Sequence, residues 1–129
     1  MAKSRTTTRG SRRSVCPVAC ALDIFGDKWT LLVIRDLACG KRLFKEFAQS
    51  PEGIASNILS DRLQRLVDHG LVIRVPGTHL AGRDAYELTE KGETLLHIVR
   101  AIAEWGQAHL PGTEARMRFA KRPSGRREE

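Results

Sequence analysis

ASNILSDRLQRLVDHG, residues 55–70, is the stretch that decides the fold. At 100° per residue, Ala55, Ile58, Leu59, Leu63, Leu66 and Val67 fall on one side of a helix. The opposite side carries Asn57, Ser60, Asp61, Gln64 and Asp68. Arg65 stands at its margin, and Ser56 is in the first turn. Gly70 supplies a left-handed stop, so the pattern predicts a helix over Ala55–His69. Its apolar side anchors it and its polar side faces outward. Ser, Asn, Gln and Arg can make directed hydrogen bonds to base edges in a DNA groove. Ser56, Asn57, Ser60, Gln64 and Arg65 are therefore candidate base readers; the alternative is a solvated polar face.

Three shorter helices are predicted before this one. Pro17 suits a first helical position, since its missing N–H would be unpaired there anyway. Val18, Ala19, Leu22 and Phe25 line one face, and Gly26 ends the helix. Asp27 can cap the next helix, in which Leu31, Leu32, Val33, Ile34 and Leu37 leave little polar circumference. A helix of that kind belongs at the centre of a domain. Gly40 closes it, and a short helix follows with Leu43, Phe44, Phe47 and Ala48 inward. Ser50, Pro51 and Gly53 break the chain before residue 55.

After Gly70, Leu71–Val75 and Asp84–Leu88 read as two strands of a hairpin whose connection holds His79 and Arg83. Thr89 is a good cap for a final long helix over Glu90–Leu110. Gly92 in its first turn costs up to ~1 kcal/mol against alanine. Its twenty-one residues span about 30 Å. Leu95, Ile98, Val99, Ile102 and Trp105 form the main stripe of that helix, widened by Leu96 and Ala103. So long an apolar stripe exceeds what one small domain needs, and a partner subunit would use it. Three shorter helices, the helix at 55–69, a hairpin and a long helix describe an α+β, mainly α, winged helix-turn-helix with a two-stranded wing and terminal dimerisation helices.

The chain has 129 residues and a net charge of +7. Residues 1–14 carry five basic side chains and no acid. Residues 113–129 carry six basic and three acidic ones, which leaves the middle near neutral. The expected organisation is a basic arm over 1–14, one folded domain over 15–112 and a polar, basic tail over 113–129. Such ends attract phosphate without base selectivity, or simply keep the protein soluble. Three cysteines, Cys16, Cys20 and Cys39, do not make a disulfide framework. No apolar run is long enough to read as a membrane span. A reducing cytoplasm, in association with the nucleoid, is the expected setting. The histidines at 69, 79, 97 and 109 are scattered, with no Cys-x-x-Cys pair, so no metal or other cofactor is expected. Neither a phosphate-binding GxxxxGK[ST] loop nor a recognisable nucleophile setting occurs, so no catalytic residue is assigned.

Three segments together resemble the HxlR-type winged helix-turn-helix transcriptional regulators, relatives of the MarR-type regulators. They are CPVACALDIFGDKWTLLVIRDLACGKRLFKEF, GIASNILSDRLQRLVDHGLVIR and YELTEKGETLLHIVRAIAEWG, spanning about residues 15–106. The resemblance implies a homodimer on a near-palindromic operator in double-stranded DNA. Ala55–His69 would be the recognition helix and Leu71–Leu88 the wing. Pro17–Phe25 and Glu90–Leu110 would form the subunit boundary, with Val18, Leu22, Leu95, Ile98, Val99, Ile102 and Trp105 as its contacts. It also implies a possible small-molecule or electrophile effector, because several members sense thiol-reactive compounds through the cysteine before the first proline, here Cys16. The chain departs from the family pattern at Asp27, where a second glycine is usual. It departs again at Leu43-Phe44, where Arg-Phe is usual, and at Ala55, where serine is common.

Lys28, Lys41, Arg42 and Lys45 lie near the start of the helix-turn-helix and are phosphate candidates. Arg62 lies near the buried side, and orienting the recognition helix or reaching a phosphate suits it better than base reading. His79 and Arg83 suit a wing tip, where arginine can enter a narrow minor groove. A thiolate at Cys16 would gain from the unpaired N–H groups of a helix start; inert packing is the alternative. Cys39 is expected near the end of a buried helix, where inert packing is favoured. The expected function is a sequence-specific repressor acting by operator occupancy. The alternative is a winged-helix protein–protein interaction module that does not bind DNA.

Overall fold

The central helix, α2 (Lys28–Ala38), buries Thr30, Val33, Ile34, Leu37 and Ala38, which explains its nearly all-round apolar sequence. A computed structural model describes residues 14–77 and 84–114. Ahead of α2 runs α1 (Pro17–Phe25), opened by Pro17 and ended at Gly26, whose N–H donates to the Leu22 carbonyl at 2.7 Å. A Cβ on Gly26 would sit 2.4 Å from that same carbonyl, so the tight joint between α1 and α2 requires glycine. The Asp27 side chain caps α2, accepting from the Thr30 N–H at 3.1 Å and from the Thr30 hydroxyl at 2.6 Å.

Helix α3 (Phe44–Ala48) is one turn long. Leucine at its cap position has no acceptor to offer. The Glu46 carboxylate instead reaches back to the N–H groups of Arg42 and Leu43, at 2.8 and 2.9 Å. Phe47 is buried from this turn and meets Tyr86 edge-on, with ring centres 6.3 Å apart.

Helix α4 (Ser56–Asp68) is one residue shorter at each end than its sequence pattern predicts. Ala55 is its N-cap and is exposed rather than part of the apolar side. Leu59, Leu63 and Leu66 are buried, and Ile58 and Val67 pack at the core margin. Each full burial of such a side chain is worth about 1.5–3 kcal/mol. The helix ends as a Schellman turn: Leu71 N–H donates to Leu66 O at 2.9 Å and Gly70 N–H to Val67 O at 3.0 Å. Gly70 has φ +74°, as that turn requires.

Strands β1 (Val72–Val75) and β2 (Ala85–Leu88) pair antiparallel, with Val72 opposite Leu88 and Arg74 opposite Tyr86. Leu43 adds a single bridge to Ala85, and Tyr86 N–H donates to Arg42 O at 2.9 Å, which fastens the hairpin to the approach of α3.

The single final helix expected over Glu90–Leu110 is instead α5 (Glu90–Glu93) followed by α6 (Leu96–His109). Thr94 and Leu95 stay helical in backbone angle but bond three residues back, to Lys91 and Gly92. This tightened turn lets α5 dock against β2 and the turn that follows α4 while α6 packs along α2. Gly92 decides the docking. A Cβ there would stand 2.0 Å from the Leu71 carbonyl oxygen, so the residue that weakens helix propensity is the one close approach requires. The Thr89 cap is present, its hydroxyl accepting from Gly92 N–H at 3.0 Å and donating to Gly70 O at 2.7 Å.

Candidate nucleic-acid interface

The polar side of α4 faces out, as its periodicity requires. Ser56, Asn57, Ser60, Asp61, Gln64 and Asp68 are exposed, and Arg65 is half-buried at the margin. Ser56, Asn57, Ser60 and Arg65 have no side-chain hydrogen bond to another described residue. Gln64 differs. Its Nε2 donates to Asp68 Oδ1 at 2.9 Å, and its Oε1 accepts from Arg74 Nη2 at 3.0 Å. Arg74, on β1, thus ties the wing to the helix, a role that strand alternation alone does not reveal. Its guanidinium also lies 5.7 Å from the centre of the Tyr86 ring and 3.8 Å from Asp84 Oδ2.

Arg62 sits low on α4, as expected, and is held there. Its Nε donates to Asp27 Oδ2 at 2.9 Å and its Nη1 to Asp61 Oδ2 at 2.6 Å. Partial burial pushes the Asp27 carboxyl up. The Arg62 hydrogen bond, the two from Thr30 and the Arg62 charge outweigh that and bring it from 3.8 down to about 2. Asp27 therefore works as cap and as strut, joining the start of α2 to the middle of α4. A glycine here could do neither.

A second polar group fixes the turn between α3 and α4. Arg35 makes paired bonds to Glu52, at 2.8 and 2.9 Å, and its Nε donates to Asp36 at 3.0 Å. Asp36, nearly fully buried, also accepts from the Ser50 hydroxyl. Buried carboxylates persist only when satisfied in this way.

The phosphate candidates divide. Lys28 and Lys45 are exposed, Lys28 lying 4.5 Å from the Trp29 ring centre. Lys41 is bonded to Ser50 at 3.0 Å and lies 3.7 Å from Asp36 Oδ2. Arg42 pairs with Glu87 across to β2. Both are half-buried and engaged within the chain, so their charge is partly neutralised before any ligand arrives. His79 and Arg83 lie outside the described residues, as do the basic side chains of 1–13 and 116–127.

The expected subunit stripe splits in two. Leu95, 7% exposed, and Val99 are built into the chain's own core beside α2, and Ile98 packs at its margin. A second subunit cannot cover side chains already enclosed, which corrects the assignment of Leu95 and Val99. Ile102 and Trp105, the latter 61% exposed, remain outside, with Leu110 beyond them; on α1, Val18 and Leu22 are likewise exposed. The two terminal helices therefore each present apolar side chains that the other described residues leave uncovered.

Cys16 is exposed at the N-cap of α1, with its N–H donating to Ser14 Oγ at 3.0 Å. Cys20 is half-buried, and its thiol donates to Ser14 O at 3.3 Å. Cys39 is the C-cap of α2, at the end of the central helix, and is half-buried. Among the described residues no helix is long and apolar enough to cross a membrane, and no group of three His, Cys, Asp or Glu side chains could hold a metal ion.

A buried-backed polar helix, followed by a hairpin and a closing helix, is the arrangement of a winged helix-turn-helix. Residues 24–114 match the family described as HxlR-like helix-turn-helix. The chain belongs to the HxlR-like helix-turn-helix family. An HTH-type transcriptional regulator of Mycobacterium tuberculosis (strain H37Rv), itself uncharacterized, is 39% identical over 94 residues, covering 73% of this chain and 59% of the relative. The chain thus spans less than two thirds of that relative's length. The crystal structure of PA1607 superposes with a TM-score of 0.72 at 39% identity, covering 88% of this chain and 79% of that one. The redox regulator HypR in its reduced form superposes at 0.66 with 33% identity, covering 72% of this chain and 92% of HypR. Its oxidized form matches comparably. The HxlR-like match begins at residue 24, so most of α1 and all of Cys16 lie ahead of it.

Proposed function

We propose that this chain is a dimeric, sequence-specific DNA-binding transcriptional regulator that represses by occupying a near-palindromic operator. The observation that carries the reading is the outward face of α4. Ser56, Asn57, Ser60, Gln64 and Arg65 project from a helix whose other side is locked by Leu59, Leu63 and Leu66. A rigidly backed helix with directed donors and acceptors is what major-groove reading needs. Lys28 and Lys45 are the exposed phosphate contacts. The basic segments 1–14 and 113–129 add affinity without sequence preference. Val18, Leu22, Ile102 and Trp105 form the subunit contact in this reading, and a near-palindromic operator then requires the two copies of α4 to stand one duplex turn apart, about 34 Å.

Cys16 is the sensor residue in this reading. It is exposed, opens α1 and lies within two residues of Val18, so a bulky or charged adduct would act directly on the subunit contact. The likeness to HypR, a redox regulator, supports that role. Occupancy alone represses, so no catalytic group is required.

The test is fluorescence anisotropy of the full chain with duplexes drawn from DNA upstream of its own coding sequence. Saturable binding that survives competitor DNA and falls when Gln64 and Arg65 are both replaced by alanine supports the reading. Absence of any preferred sequence refutes it. Release by a quinone or oxidant that the Cys16→Ser variant resists supports the sensor role, and identical release in both removes it.

A further inference from the structure

The Gln64 amide is held at both ends, and the chemistry of its partners leaves only one orientation. Asp68 carboxylate can only accept, so it must face the nitrogen. Arg74 guanidinium can only donate, so it must face the oxygen. The distances, 2.9 Å from Nε2 to Asp68 Oδ1 and 3.0 Å from Oε1 to Arg74 Nη2, agree with that polarity. Arg74 is in turn steadied by Asp84 and by the face of Tyr86. Asp84 is itself anchored, accepting from Gly77 N–H at 3.2 Å.

Each bond uses one of the amide's valences and leaves one. A single Nε2 hydrogen and a single Oε1 lone pair remain on an exposed side chain. Among the bases, adenine alone presents a neighbouring acceptor and donor, N7 and N6, on its own major-groove edge. Guanine offers two acceptors there, one of which would oppose Oε1. We propose that Arg74 is a specificity-determining positioning residue: with Asp68 it locks the Gln64 amide in the polarity that matches adenine. This rests on the DNA-binding reading above. Arg74 need not touch the base. By fixing the amide before binding, it removes the flipped state that would tolerate other bases and lowers the ordering cost of the correct one.

The experiment is selection of bound duplexes from a random library by the full chain, followed by affinity measurement with all four bases at each selected position. Wild type is compared with Gln64→Ala, Arg74→Met, Arg74→Lys and Asp68→Asn, with melting curves confirming that each variant is folded. Wild type should require adenine at one position per half-site, and Gln64→Ala should erase that preference. Arg74→Met and Asp68→Asn should each weaken it by about tenfold, leaving other positions unchanged, with Arg74→Lys in between. Arg74 and Asp68 sit on different elements, so a fault in either variant's fold leaves the other to decide. If both variants scale affinity equally for all four bases at that position, the proposal is overturned and Arg74 is at most a phosphate contact. It is also overturned if the position lost in Gln64→Ala is not adenine. A wild-type chain that selects no sequence overturns the DNA-binding reading instead, and this proposal falls with it.

Discussion

Replacing Asp27 tests whether the strut between α2 and α4 carries weight. Asp27→Ala removes the cap on Thr30 and the partner of Arg62 together. Losing a cap of this type costs about 1 kcal/mol, and a partly exposed ion pair adds up to about 1 kcal/mol. The depressed carboxyl gives an independent figure. A fall from 3.8 to about 2 corresponds to roughly 2 kcal/mol before screening. With the side chain 31% exposed, about 1–2 kcal/mol is the expected contribution at neutral pH. The sign follows from the folded value lying below the unfolded one. The contribution is fully present above about pH 4 and lost as pH falls through about 2. Urea unfolding of wild type, Asp27→Ala and Asp27→Asn, at one protein concentration and from about pH 6 down to about pH 2, reads both effects. Asp27→Asn keeps an acceptor for Thr30 but has no charge to lose. The gap between it and wild type should therefore close on acidification while other carboxylates cancel in the comparison. A gap that stays constant across the range, or a cost for Asp27→Ala below about 0.3 kcal/mol, would refute the strut.

Gly92→Ala should destabilise by about 1–3 kcal/mol, as overpacking against the Leu71 carbonyl does, measured by thermal or urea unfolding. Helix propensity alone forecasts a gain of ~1 kcal/mol, so the two arguments differ in sign. Trp105→Ala with Ile102→Ala should shift sedimentation toward monomer at micromolar concentration while leaving the melting of the monomer nearly unchanged, because both side chains lie outside the core. Leu95→Ala should instead unfold the chain by about 2–5 kcal/mol, as a core leucine does. Lys45→Ala should lower affinity for all duplexes alike and make the slope of log K against log salt shallower by about 1; an effect confined to one sequence would contradict a phosphate contact.

The helix that carries the candidate interface was legible because one period served both its sides: Leu59, Leu63 and Leu66 inward required Asn57, Ser60 and Gln64 outward. Gly70 and Asp27 were legible as terminators because each acts on its own neighbours. What escaped depends on contacts distant along the chain. Gly92 reads as a flaw in a helix until the Leu71 carbonyl is seen against it. Arg74 reads as an outward strand residue until Gln64, ten positions earlier, is found at its tip. The terminal stripe was legible as apolar, but periodicity cannot tell a side chain enclosed by its own domain from one left for a second. Leu95 and Trp105 therefore looked alike. Arg42 was expected to be an available cation, and its partner Glu87 lies 45 positions away. Ala55 stands where the family commonly has serine, and α4 begins without a side-chain cap.

The stitching between the end of α4 and the start of α5 has a mechanical consequence. Thr89 holds Gly70, Lys91 reaches His69 O at 3.0 Å, and Gly92 lies flush on Leu71. Slippage at that seam is resisted by three separate grips, so the opening turn of α5 and the turn that ends α4 move as one piece. Whatever displaces one drags the other along, and Gln64 lies less than two helical turns ahead of that joint.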